Sequence, residues 1–149
     1  MNNPTNRHAD YDGDFYAWTL QTAQQLRSGQ LDQVDLAQVA EEIEDMGKSD
    51  RRALESHLKI LMLHLLKWQH QPSHRGVSWR LSIANARDEI TAILRDSPSL
   101  RPRLDELAAS RYPGARKQAI LETGLAPSSF PETCPFSVEQ LLEEDELPN

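Results

Sequence analysis

A single cysteine, Cys134, is all that this 149-residue chain contains, so no internal disulfide can form and a secreted, disulfide-stapled scaffold is excluded. Long hydrophobic runs are missing too. The most apolar stretch, Leu58 to Trp68, is interrupted by His64 and Lys67 well short of a membrane span. The opening residues, Met-Asn-Asn-Pro-Thr-Asn-Arg-His, lack the apolar region that a signal peptide needs. Positive charge is in the minority: a formal net charge of −7 and a pI near 5.2 argue against general nucleic-acid binding. No stretch of strand length alternates with a period of two, and no internal repeat is present. These absences leave a cytoplasmic, all-α protein whose length suits one domain with a real core.

What is there is helical periodicity. Asp12 or Asp14 caps a first helix, Phe15 to Arg27, with Phe15, Trp18 or Thr19, Thr22 and Leu26 turned inward and Ser28-Gly29 as its stop. Asp35 caps a second, in which Leu36, Val39, Ala40, Ile43 and Met46 form the inward stripe and which Gly47 ends. Ser49 or Asp50 caps a central helix that runs to Gln71, where Pro72 forbids continuation. On that helix Leu54, Leu58, Leu61, Leu65 and Trp68 share a face while Ile60, Leu63 and Leu66 carry apolar surface to the other sides. Such a helix is expected to be surrounded by protein.

A fourth helix places Trp79, Ile83, Ala86, Ile90 and Ile93 inward, with Arg80 and Arg87 on its shoulder. Ser97-Pro98 starts a fifth, Tyr112-Pro113-Gly114 breaks or kinks it, and Ala115 to Thr123 forms a sixth stopped by Gly124. Pro127 to Phe136 reads as an extended strap with Phe130 and Phe136 inserted into the body, and Ser137 with Gln140 makes a capping box for a last short helix. The expected architecture is an all-α, single-domain bundle of about six helices around a buried central helix. Residues 1–10 form a flexible arm, 11–142 the domain and 143–149 an acidic tail.

His64 and Lys67, one turn apart at a depth where unpaired polar groups are costly, are the chemical centre of the sequence. From Ser56 to Arg87 there is no Asp or Glu, so a carboxylate must come from elsewhere. Glu42, flanking the stripe of the second helix, is the expected partner, with Glu41 pointing nearly opposite. The short link after Gln71 makes the third and fourth helices antiparallel neighbours and brings Arg80 toward Lys67 and Trp68, with Trp79 alongside. Glu42, His64, Lys67 and Arg80 would then form an anion-binding or acid/base site: His64 moves a proton, Glu42 orients it, and Lys67 with Arg80 holds a carboxylate or phosphate. The structural alternative is a satisfied polar network that fixes helix packing.

Other chemistries have less behind them. His70 and His74 stand four apart, as helical metal ligands do, but Pro72 lies between them. His57 and His64 share a face and would need Glu42 or Glu44 to complete a site, and no metal or cofactor is expected. Cys134, between Thr133 and Pro135, reads as a buried small hydrophobe. Arg75, Arg80 and Arg87, then Arg95, Arg101, Arg103, Arg111, Arg116 and Lys117, could paint one basic face with Tyr112 beside it, but Asp88, Glu89, Asp96, Asp105 and Glu106 dilute it.

Several ordered motifs run through the chain: Tyr11-Asp-x-Asp-Phe15-Tyr-x-Trp18, Leu26-Arg-Ser-Gly29, Glu41-Glu-Ile-Glu-Asp-Met-Gly47, His64-Leu-Leu-Lys-Trp-Gln69, Ser78-Trp-Arg80, Ser97-Pro-Ser-Leu100 and Phe130-Pro-x-x-Cys-Pro-Phe136. With them the sequence resembles the bacterial family called domain of unknown function twenty-nine, from about Tyr11 to Leu142. The resemblance implies an all-α domain and no established activity. Glu41, Glu42, His64, Lys67, Trp68, Trp79 and Arg80 stand at the family's motif positions; His70 and His74 do not. The functional expectation is a non-catalytic helical interaction domain that self-associates, as a homodimer, or binds another protein. The runner-up is an enzyme or small-anion binder built around His64.

Overall fold

The computed structural model describes residues 10–143 and 145–149, so the expected N-terminal arm lies, apart from Asp10, outside the described residues. All regular structure among them is helical, with no strand. The α-helices are α1 (Phe15–Arg27), α2 (Leu36–His70), α3 (Val77–Asp96), α4 (Leu104–Thr123) and α5 (Val138–Leu142), with short 3-10 segments in each link. The chain divides between Met46 and Gly47 into two compact units. No helix among the described residues is long and apolar enough to cross a membrane.

In the first unit, the Asp14 carboxylate accepts from the Ala17 N–H at 3.0 Å and caps α1 as expected. Gly29 stops it with φ 75°, the left-handed conformation that glycine adopts without a Cβ clash. Asp35 then caps α2, accepting from the Gln38 N–H at 3.1 Å. Tyr11 sits edge-on to Phe15 and Trp18, with ring centroids 5.4 and 5.0 Å away, and its hydroxyl donates to Glu42. The two inward stripes expected here hold at Thr22, with Trp18, Thr19 and Val39 half-buried, and are otherwise corrected. Thr22 and Gln25 are the buried residues of α1, and Phe15, Leu26, Leu36, Ile43 and Met46 are exposed. Leu36 and Ile43 lie on the same face of α2 as the buried Leu54 and Leu58, so they are exposed because nothing among the described residues of this unit lies against them.

Gly47 does not end a helix. Among the described residues only Gly29 and Gly124 adopt positive φ, and α2 continues through Gly47 to His70, merging the expected second and third helices. The residues that follow, Lys48-Ser-Asp-Arg-Arg52, contain neither proline nor a second glycine, so nothing after Gly47 opposes propagation.

The core lies in the second unit, where Leu54, Leu58, Leu61, Met62 and Leu66 of α2 are fully buried and meet Ile83, Ile90, Leu104, Ala115 and Ala119. Proline at 113 does not interrupt α4, although its missing N–H leaves one carbonyl of the preceding turn without a helical partner on an exposed edge. The fifth helix begins later than Ser97-Pro98 suggests, because Pro98–Arg103 winds as 3-10 helix. The strap behaves as its prolines require: Phe130 and Phe136 are buried, and the Tyr112 hydroxyl donates to the Pro131 carbonyl at 2.5 Å. Ser137 and Gln140 form the capping box of α5.

Arg87 departs furthest from its expected place on a helix shoulder. It is 1 % exposed. Its Nε donates to the Leu141 carbonyl at 3.2 Å and its Nη2 to the carbonyls of Gln140 and Glu146, each at 2.6 Å. A guanidinium thus satisfies the orphan carbonyls at the end of α5 and fastens the chain's last residues to the core.

Candidate functional site

Pro72 ends α2, a 3-10 turn over Pro72–His74 reverses the chain, and Gly76 leads into α3. This local geometry gathers the aromatic and basic groups. The Arg75 Nε donates to the Trp68 carbonyl at 2.7 Å, capping the last turn of α2, and its guanidinium lies 5.0 Å from the Trp68 ring centre. Arg80 approaches the same ring at 5.4 Å. Trp79 takes Lys67 over its ring at 4.9 Å and stacks on His74 at 6.5 Å. The basic chains keep their charged ends near water while their stems and planes cover tryptophan.

The carboxylate that Lys67 meets is not Glu42 but Glu122, at 3.2 Å. Glu42 belongs to the first unit and accepts from Tyr11, while Glu41 is exposed. The expectation for Glu42 depended on a chain reversal at Gly47, and α2 makes none. Tyr11 responds to this partner: the Glu42 carboxylate holds the phenol proton, with burial adding to the effect, and pushes the tyrosine up to about 12.

His64 is tied to its own helix, its Nδ1–H donating to the Ile60 carbonyl at 2.8 Å, which leaves Nε2 as the acceptor of the neutral ring. It lines an open groove of about 490 Å³ with Ser56, Lys59, Ile60, Leu63, Gln118 and Glu122. Ser56 stands eight residues away on the same helix, roughly 12 Å along its axis and beyond the reach of a nucleophile–base hydrogen bond. Cys134, whose thiol burial pushes up, is near the Met62 sulfur at 3.8 Å and the Phe136 carbonyl at 3.7 Å and hydrogen-bonds to no basic side chain among the described residues.

The structure therefore brings together Lys67 with Trp79 and Arg80 with Trp68, and it joins His64 to Lys67 only through Glu122, which pairs with Lys67 and lines the His64 groove, while Glu42 pairs with Tyr11. Sequence reasoning missed Arg75 and Glu122. Arg75 carries a signal, since a cation just past a proline-terminated helix can reach that helix's last carbonyls. Glu122 carries none, because its pairing with Lys67 spans the whole of α3. A second cavity, of about 140 Å³, is lined by Trp68, Arg75, Gly76, Val77 and Arg80.

Burial pulls His70 below the ordinary histidine range, and its Nε2 is buried with no hydrogen-bond partner. No group of three metal-capable side chains comes together among the described residues. Several basic residues expected on a common face are otherwise engaged: Arg111 with Glu55 at 2.7 Å, Arg103 with Glu106 at 3.4 Å, and Arg116 with the Pro127 carbonyl at 2.7 Å.

With this geometry in place, the family described as Domain of unknown function DUF29 matches residues 11–147. The chain belongs to this family. The matched DUF29 span holds both the tryptophan–arginine constellation and the acidic stretch Glu41 to Asp45. The family is one of unknown function, so membership assigns no reaction. No curated protein and no solved structure matches the chain.

Proposed function

We propose that this DUF29 chain is a non-catalytic helical interaction domain that contacts another protein through its first unit. One observation carries the reading. In that unit Phe15, Tyr16, Leu20, Leu31, Leu36, Ile43 and Met46 are all about half exposed or more, while among its described residues the buried side chains are Thr22 and Gln25. Soluble proteins do not commonly leave contiguous apolar surface bare unless something covers it. A photo-activated cross-linking side chain at position 43, in cells, should give one adduct of defined mass, and the same side chain at exposed Glu89 of α3 should give none. No adduct at position 43, or the same smear from both, would contradict the reading.

A second reading, small-anion binding, has an observation of its own. Arg75 and Arg80 meet no carboxylate among the described residues and line one cavity over Trp68. Paired guanidiniums bind an oxyanion by charge-assisted, often bidentate hydrogen bonds. Titration with inorganic phosphate at constant ionic strength should shift the Arg75 and Arg80 side-chain resonances saturably, and Arg80→Gln should weaken that binding about tenfold. Shifts that chloride reproduces would dismiss it.

A further inference from the structure

We infer that the exposed apolar face of the first unit receives a basic amphipathic helix from a partner protein, completing a small helical bundle with α1 and the start of α2. This rests on the interaction reading above and adds the partner's chemistry.

The first argument is the missing core. Eight of the twelve exposed large hydrophobic residues fall between Phe15 and Met46, and no apolar side chain of that stretch is buried. Helices in proteins owe most of their stability to the packing of an amphipathic face, which this pair of helices lacks until a third element is added.

The second is the shape of the seam. Leu36, Ala40 and Ile43 follow each other at steps of four and three, with Val39 and Met46 beside them. Leu54, Leu58, Leu61 and Leu65 continue the same spacing, and there protein covers it completely. The bare part spans roughly 15 Å, about three helical turns, the length over which one helix packs into another.

The third is charge, which selects the occupant. Residues 1–46 hold nine Asp and Glu against Arg7 and Arg27, so this stretch accounts for the entire formal charge of −7 and the remainder of the chain is balanced. Glu44 is exposed on the flank of the seam, and Glu41 and Asp45 are exposed on the other side of the same helix. A second copy would bring an equal negative charge to the same face, and an anionic lipid surface would be repelled by it. A helix with leucine or isoleucine on one side and lysine or arginine on its flanks meets both the apolar seam and the carboxylates.

The experiment uses the full chain and two synthetic 18-residue helices with the same leucine seam, one with lysine and one with glutamate at every other position. The lysine helix should bind, and raising salt from about 50 to about 500 mM should weaken it at least tenfold. Ile43→Gln and Leu36→Gln should each cost at least tenfold in affinity. Both positions are exposed, so an unchanged unfolding midpoint separates lost binding from lost fold. Equal binding of the glutamate helix, or full binding by both variants, would overturn the inference. A concentration-dependent dimer that salt strengthens and Ile43→Gln abolishes would also overturn it, while leaving the interaction reading standing with a second copy as occupant. Failure of both helices on a monomeric protein would refute the basic occupant, and the cross-link from position 43 would then decide whether the face binds anything.

Discussion

Replacing Arg87 by methionine should be among the most destabilising single changes in the chain. Methionine keeps an apolar stem in the space that Arg87 fills at 1 % exposure, but it removes the donors that meet the carbonyls of Gln140, Leu141 and Glu146. Hydrogen bonds to a charged donor are worth about 1.5–3 kcal/mol each and do not add fully, because their acceptors sit on one short segment. Relief from burying a charge offsets part of the loss, so a net destabilisation of about 3–5 kcal/mol is expected. For a chain of this size that lowers the melting temperature by on the order of 10 °C. Thermal unfolding followed by circular dichroism measures it, and limited proteolysis should show residues after Leu141 cut first. Arg80→Met on the same helix is the control, with an expected loss of about 1 kcal/mol or less because Arg80 is exposed. A drop below about 2 °C for Arg87→Met, or equal losses from the two variants, would refute the account of how the C-terminal end is held.

Three further outcomes follow from particular contacts. Gly47→Ala should stabilise the protein by about 0.5–1 kcal/mol in urea titration, because Gly47 lies inside α2 without positive φ and a Cβ there meets nothing within 4 Å; a helix stop at this position would make the same change destabilising. Lys67→Met should cost only about 1 kcal/mol, because its partner Glu122 is 41 % exposed and regains water when the pair is broken; a loss several times larger would mean that the carboxylate is buried. In Glu42→Gln the Tyr11 phenol should ionise near the ordinary 10.0 instead of about 12, as spectrophotometric titration would show. The raised value means that the folded state holds this proton more tightly than the unfolded chain. Its stabilising contribution is therefore complete below pH 10 and disappears as pH rises through 12.

The helices were legible because their signals are local. Asp14, Asp35 and Ser137 cap where they stand in sequence, Gly29 and Gly124 stop their helices, and Pro72 ends α2. Gly47 misled because glycine marks a stop only when the backbone takes it to positive φ, and that choice depends on the residues after it. The candidate site was legible only in part, for a related reason. Contacts made across one turn, such as those of Arg75 and Arg80 with Trp68, follow from a chain reversal that proline dictates. The Lys67–Glu122 pair depends on how α4 packs, and the exposure of Leu36 and Ile43 depends on which elements lie against that part of α2. Periodicity finds an apolar stripe without saying what lies against it, so the covered leucines after Leu54 and the bare ones before Met46 read alike.

Hydrogen exchange along α2 of the full chain, read residue by residue, tests most directly whether the first unit lacks a core of its own. Amides from Leu54 to Trp68 should exchange only through global unfolding, while those from Val39 to Met46 should open several kcal/mol more easily, because no buried apolar contact holds them. Equal, near-global protection along the whole helix of the isolated protein would contradict the account, since that face would then need no partner to make it stable.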